Sequence, residues 1–495
     1  MSEPVSNTSK ALKGMSSQTL VTIGLGVMEV VSFSIMSRLL NQEDFGYYAA
    51  ITAITTVFAS FSETGIGSAI VQRKEINSRY INNAFTLSFI FGAFISLLLL
   101  VLAKPLSNAV ADSSMMVPLM LMSVTLLCHC LTSVNNSILH RQLKFFTIGL
   151  IHLISLVVTT VVAIILAIKG FGYYAILTKA ILSSVLSLFL SWFFAKTRYR
   201  FALDKETFKS IFGFSGWLMA SVFFRNLAQQ MDRLLMTRLI SVETLGAYNR
   251  PKDFIGQMSN RIAGIFDSAL FPVLSQIQDN YTSMKNAYLR SVYLLNVVAS
   301  LLAVLFVFNG ELIIRVFFGE EWFNVLAVFQ VLSIAVIFSF DARLADCYLR
   351  SLGFTKQQFY FRILEVVAKL LGLFIGYRWG MMGIAVSVLV TDALMVTVKH
   401  FFIASKIGIT LGEGLSALLR SLQGALVMAP ILLIALHFRA HTVGWDILIL
   451  LLTCLFAVIC FLLVPSLAGS EYKNEYFPQI IGFVKSKLSV LNRRK

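Results

Sequence analysis

Residues 225–272 read RNLAQQMDRLLMTRLISVETLGAYNRPKDFIGQMSNRIAGIFDSALFP, two largely apolar segments joined by a short turn. Each carries a polar stripe. On the first, Arg225, Gln229, Asp232 and Met236 follow i, i+4, i+7, i+11 spacing with Arg233 beside them. On the second, Asp253, Gln257, Asn260, Gly264 and Asp267 repeat that rhythm. Such spacing gathers each set on one face of a helix. A charge at bilayer depth costs at least ~2.5 kcal/mol, so these faces are expected to line protein or water and not acyl chains. The expectation is a polar cavity inside a membrane bundle.

Working outward, the same pattern occurs once more. SIMSRLLNQEDFGYYAAI and LLMTRLISVETLGAYNRP share identities at an offset of 200: Met36 and Met236, Arg38 and Arg238, Leu39 and Leu239, Glu43 and Glu243, Gly46 and Gly246, Tyr48 and Tyr248. Ser68 and Ala69 match Ser268 and Ala269, and Glu29 and Ser32 stand where Gln229 and Asp232 stand in the second copy. Two related halves are expected.

Composition fixes the solvent. Of 495 residues 57% are hydrophobic and 13% charged, and the mean hydropathy is +0.79. One soluble core does not need that much apolar sequence. The apolar stretches are about 20 residues long, the length of a helix crossing ~30 Å of hydrocarbon, which excludes the short alternating strands of a barrel. The expected fold is all-α and integral to the membrane.

Fourteen candidate spans can be drawn: 16–37, 46–71, 82–103, 116–139, 146–168, 172–195, 211–237, 246–274, 288–309, 323–345, 358–377, 380–404, 416–437 and 445–467. Sorting the basic residues between them into alternate sets gives 26 on one side and 9 on the other. Arg362 and Lys399 count in the larger set, and Arg250 in the smaller. Cytoplasmic loops are the positive ones, so both termini are expected in the cytoplasm. The net charge of +16 then reflects topology, and no nucleic-acid partner is expected. An even number of spans per repeat relates the halves by an axis along the membrane normal. The expected divisions are an N-lobe at 1–200, a C-lobe at 201–406, two further helices at 407–470 and a basic cytoplasmic tail at 471–495. Lys196–Lys209 would be the inter-lobe hinge, and the tail suits either an interfacial helix or a solvated segment. The first apolar run lacks a cleavage pattern and is read as a retained span.

Arg225, Arg233 and Arg261, supported by Gln229, Gln257 and Asn260, are the candidate anion-binding surface. A planar guanidinium gives a diphosphate two hydrogen bonds at once and stays charged at any physiological pH. The competing reading of Arg225 and Arg261 is interfacial anchoring. Glu29, Asp232 and Asp267 are candidates for carrying a coupling ion. Glu365 with Lys369 at i, i+4, and Arg343 with Asp346 at i, i+3, are expected to neutralise one another. No phosphate loop, HExxH or G-x-S-x-G occurs, so no catalytic residue and no cofactor is assigned. The five cysteines read as core residues. Cys128, His129 and Cys130 point in different directions on a helix, and no metal site is assigned.

The opening into GMSSQTLVTIGLGVMEVVSFSIMSRLLNQEDFGYYAAI, then DRLLMTRLISVETLGAYNRPKDF with its Leu245-Gly246-Ala247-Tyr248 turn, and ALFPVLSQIQ with Phe271 and Pro272, together resemble the polysaccharide transporter family of the MOP exporter superfamily, which includes the Wzx-type flippases. The resemblance covers nearly the whole chain. It implies two six-helix lobes around a central cavity plus two helices, with alternating access. The implied cargo is an undecaprenyl-diphosphate-linked oligosaccharide, flipped across the inner membrane for exopolysaccharide, capsule or lipopolysaccharide assembly. The implied partners are that lipid-linked oligosaccharide, membrane lipids, and polysaccharide polymerase and export machinery. The rival readings are a MATE-like cation-coupled drug exporter and a membrane polymerase or glycosyltransferase of lipid-linked sugars. Against the last, no loop is long enough for a soluble catalytic module.

Overall fold

The computed structural model describes residues 4–62, 66–67, 70, 76–110, 113–202, 204–277, 280–437 and 443–467. They form α1 (Pro4–Leu39), α2 (Gln42–Ser62), α3 (Ser78–Val110), α4 (Met116–Arg141), α5 (Phe145–Ile168), α6 (Tyr173–Ala195), α7 (Lys205–Leu239), α8 (Val242–Ile277), α9 (Tyr281–Phe308), α10 (Leu326–Ser351), α11 (Thr355–Gly376), α12 (Gly380–Ile407), α13 (Leu411–Ser421), α14 (Gln423–His437) and α15 (Val443–Leu467). Each expected span overlaps a helix among the described residues; the one at 46–71 runs past the end of α2 at Ser62, in part into residues outside those described. The thirteenth breaks at Leu422 into α13 and α14, and residues 310–322, expected as a plain connection, together with the first three residues of the tenth span, form short α, π and 3-10 turns. Nine stretches among the described residues are long and apolar enough to cross a membrane. This is a multi-pass membrane protein. The expected interfacial tail lies outside the described residues.

Contacts divide the chain into two units, residues 1–250 and 251–495. In the first, α3 packs on α4, α4 on α6, α6 on α5 and α5 on α1, while α7 lies along α2 and α3. In the second, α9, α10 and α12 form the centre, α11 covers α12, and α13 and α14 pack on α9. The Phe254 ring sits 5.4–6.4 Å from those of Phe306, Phe317, Phe318 and Phe329. The unit boundary falls at Pro251, inside α8. Proline has no N–H and cannot close the i→i−4 bond there.

The hinge expected at 196–209 is not a loose segment. Arg200 N donates to Asn82 Oδ1 (3.1 Å) and Ala202 N to Thr86 Oγ1 (3.0 Å), both on α3. Tyr199 stacks on Phe85 with ring centroids 4.0 Å apart and bonds Asn135 of α4. Asp204 approaches Arg79 at 3.7 Å, and Lys205 already begins α7. Aromatic and hydrogen-bonding residues make this stretch a strap over the first unit.

The repeat at offset 200 has a physical counterpart. The start of α2 is capped by Asn41, whose Oδ1 accepts from Asp44 N at 2.8 Å. The start of α8 is capped by Ser241, whose Oγ accepts from Thr244 N at 3.1 Å. Each cap satisfies a backbone donor left over by the helix. The two helix starts then cross at their glycines. A Cβ on Gly46 would stand 1.8 Å from the carbonyl oxygen of Val242, and one on Gly246 would stand 1.7 Å from that of Gln42. Residue 46 meets 242 and residue 246 meets 42, the exchange that a local two-fold axis produces. Gly246→Ala drives a methyl into backbone, which cannot swing aside, so a cost at the top of or above the ~1–3 kcal/mol typical of overpacking is expected. Gly46→Ala should cost as much. Thermal stability in detergent checks both, and either variant matching wild type would contradict the crossing.

Candidate functional site

In the first unit the stripe of α7 divides. Asp232 is buried at 3% exposure: Tyr248 donates its O–H to Oδ2 at 2.7 Å, and the backbone N–H of Arg233 donates to Oδ1 at 3.0 Å. Met236 is fully buried, whereas Gln229 is exposed. The single face expected for Arg225, Gln229, Asp232 and Met236 therefore separates into a buried edge and an open one. Arg225 and Arg233 lie between, half-buried. Arg225 Nε donates to Asn226 Oδ1 at 3.4 Å, and Asn226 donates to Ser60 Oγ at 2.9 Å. Arg233 donates to Gln230 Oε1 at 3.0 Å.

Two more cations join this unit. Lys179 of α6 donates to Ser32 Oγ on α1, which also receives Thr160 Oγ1 at 3.2 Å. Glu29 is half-buried on α1, and its charge and that of Arg250 both act on Lys179. Arg250, counted above with the loop residues, is instead buried in α8 at 9% exposure. Its guanidinium lies 3.3 Å from the Phe33 ring centroid and 4.0 Å from that of Phe45. It also donates to Ser37 Oγ and the Phe33 carbonyl at 2.6–2.9 Å. Two aromatic faces and a carbonyl replace the water that the charge gives up. Among the described residues of these helices, Arg225, Arg233, Arg250 and Lys179 thus stand against Glu29 and Asp232, an excess of positive charge.

In the second unit the face of α8 is more open. Gln257 and Arg261 are half-buried, Asn260 and Gly264 exposed, and the side chain of Asp267 lies outside the described residues. Arg343 of α10 donates to Asn260 Oδ1. This corrects the expected pairing of Arg343 with Asp346. Asp346 is held by Arg362 and by Lys399 at 3.3 Å. The other expected pair is present, Lys369 to Glu365 at 3.7 Å.

Both belong to a buried network that the sequence reading missed. Arg362 reaches Glu365 at 2.9 Å, Lys399 reaches Glu365 at 3.6 Å, and Lys369 reaches Asp392 at 3.1 Å. Lys399 is only 1% exposed and Arg362 8%, so neither is the loop cation it was counted as. The signal was present: Arg362, Glu365 and Lys369 follow i, i+3, i+7, as do Asp392 and Lys399 at i, i+7, which places each set on one face. A second pair of groups adjoins it. Asp341 Oδ1 accepts from Asn296 Nδ2 at 2.7 Å and lies 3.8 Å from His400 Nε2. Cys454, expected in the core, is exposed, while Cys128, Cys130, Cys347 and Cys460 are buried.

A family model described as "Polysaccharide biosynthesis protein" matches residues 35–327, more than half of the chain. The chain is similar to the succinoglycan biosynthesis transport protein ExoT of Rhizobium meliloti (strain 1021), 22% identical over 74% of each chain. Among solved structures it is similar to the lipid II flippase MurJ in an inward closed conformation, with TM-score 0.67 and 15% identity over 91% of this chain and 98% of that one. It is also similar to a multidrug resistance MATE family transporter of the MOP superfamily in an inward-facing conformation, with TM-score 0.64 and 14% identity over 78% of this chain and 94% of that one. These likenesses bear on the fold, and the expected all-helical MOP/MATE-like architecture is the one found.

Proposed function

The chain belongs to the polysaccharide biosynthesis protein family, and from that premise we propose that it flips an undecaprenyl-diphosphate-linked oligosaccharide across the inner membrane for surface polysaccharide assembly. The observation that carries this reading is the cationic excess built into membrane helices of the first unit. A sugar diphosphate crosses hydrocarbon only if something replaces its hydration, and arginine replaces it with two directed, charge-assisted hydrogen bonds. Arg225 and Arg233 are the groups we assign to the headgroup, with Gln229 beside them. Arg261, Gln257 and Asn260 on α8 are further groups we assign to the headgroup, and Arg343 bonds Asn260 there.

Alternating access moves the cargo without a covalent step, so the chain is read as a transporter and not as an enzyme. The repeats at 1–200 and 201–406, the additional helices at 407–470 and cytoplasmic termini complete the proposal. Polymerase and export machinery are its proposed partners beyond the membrane lipids. The drug-exporter reading is less favoured, because organic cations call for an acidic cavity and the excess here is basic.

Vesicles containing only this protein test the proposal. A fluorescent undecaprenyl-diphosphate oligosaccharide placed in the outer leaflet should become protected from an impermeant quencher faster than in protein-free vesicles. Equal rates would overturn the cargo assignment. Faster movement of a labelled organic cation in its place would favour the exporter.

A further inference from the structure

We propose that Asp341, buried, and His400, half-buried beside it in the second unit, form a binding site for one proton. Asp341 (α10) is 4% exposed and Tyr288 (α9) 3%. Tyr288 hydrogen-bonds His400 Nδ1, and Asn296 donates to Asp341 Oδ1 at 2.7 Å. His400 Nε2 is buried, without a hydrogen-bond partner among the described residues, and faces Asp341 Oδ1 at 3.8 Å. That gap is too long for a hydrogen bond. Two strong polar atoms, pointed at each other in an apolar interior without a bond between them, are an arrangement that one additional proton resolves.

Charge balance gives the same number. The groups facing this pair are, from α9, Tyr288 and Asn296, and from α10, Asp346 and Tyr348. From α11 come Arg362, Glu365 and Lys369, and from α12 come Asp392 and Lys399. Arg362, Lys369 and Lys399 are matched by Asp346, Glu365 and Asp392 through the contacts given above. Lys285, one turn before Tyr288, is engaged by Glu413 at 2.8 Å, and Arg343 by Asn260. Within the paired network three cations thus meet three carboxylates; Arg343 keeps its charge at an exposed contact with the neutral amide of Asn260, and with a neutral imidazole Asp341 adds one negative charge to the buried network.

Neutral imidazole carries a single N–H. If Nδ1 gives it to Tyr288, Nε2 turns a lone pair toward a carboxylate. If Nε2 holds it, Nδ1 accepts from Tyr288 and the excess charge stays. In either tautomer one proton taken up by the pair, on Nε2, Nδ1 or the carboxyl, brings the cluster to neutrality, and its loss restores the charge. A sodium ion fits less well, because hard cations need several oxygens and the amide of Asn296 is turned to donate, its Nδ2 also bonding the Val292 carbonyl at 2.9 Å. Used in transport, which rests on the function proposed above, this site couples flipping to a proton gradient from within one unit, apart from Glu29, Asp232 and Asp267.

Infrared difference spectroscopy of the purified full-length protein tests the site without transport. Between about pH 8 and pH 5, where a histidine pair titrates, wild type should show a protonated-carboxyl or imidazolium band. Asp341→Asn should lose it. His400→Gln, which keeps the carboxylate, should move it in pH, and serves if Asp341→Asn fails to fold. An unchanged band in a folded variant overturns the proposal, as does a band that answers to sodium against choline at fixed pH. In vesicles, an imposed proton gradient should speed flipping several-fold in wild type and leave Asp341→Asn at its ungraded rate. Loss of flipping with the band intact would count against the transport reading and leave the proton site standing.

Discussion

Asp346→Ala is expected to be among the most destabilising single changes in the chain, by ~3–5 kcal/mol, the cost of stranding buried charge. Asp346 touches both Arg362 and Lys399. Its removal leaves those two cations with Glu365, which Lys369 also contacts. Three positive charges then face two carboxylates, Glu365 and Asp392, at 10–25% side-chain exposure or less, where solvent screens them poorly.

The same logic predicts a rescue. Asp346→Leu combined with Lys399→Met removes one charge of each sign and leaves Arg362 and Lys369 with Glu365 and Asp392. The double variant should be more stable than Asp346→Ala, by the ~0.5–3 kcal/mol of coupling found for residues in one network. Thermal unfolding in detergent, followed by size exclusion, measures both. A double variant less stable than either single change would mean that the network acts through shape and not charge.

How much of this was open to a reader of the sequence depends on the distance over which the physics acts. The stripe on α7, the spans and the repeat are local or periodic. The glycine crossing was visible as two identities, Gly46 and Gly246, because a close backbone approach leaves no alternative residue. Partners were not visible. Asp232 takes its hydrogen bond from Tyr248, on the next helix, and Asp346 prefers Arg362 and Lys399 to Arg343, three positions away. Periodicity gives the face of a helix but not what packs against it. Arg250, Arg362 and Lys399 were misplaced for a different reason: a charge near a span end looks like a loop charge until its neighbours are known. Moving them out leaves 24 basic residues against 8 in the two sets, an asymmetry that persists. The pairing of Asp341 with His400 was the hardest to see, since a lone histidine in an apolar helix carries no spacing.

Reversing Arg225 and Arg233 together, as Arg225→Glu with Arg233→Glu, is expected to abolish export of polymer while protein remains in the membrane. Each charge-assisted hydrogen bond to a phosphate contributes ~1.5–3 kcal/mol. Losing both weakens headgroup binding by roughly a hundredfold or more at 1.4 kcal/mol per tenfold, before any repulsion is added. The reversal also sets a second carboxylate beside Asp232, a like-charge pair that lowers stability by itself, so Arg225→Gln with Arg233→Gln is the cleaner measurement. It removes the guanidinium charge and keeps hydrogen-bonding groups near Asn226 and Gln230. Its flipping rate in vesicles should fall by the same order. Lysine at both positions should retain part of the activity, because the charge persists and only the fork geometry is lost. Anchoring at the interface predicts another order: lysine would serve as well as arginine, and glutamine would lower the amount of protein inserted and not its rate per molecule. Wild-type flipping in the glutamine pair at normal protein levels would remove these arginines from the headgroup site and leave Arg261 and Arg343 to carry it.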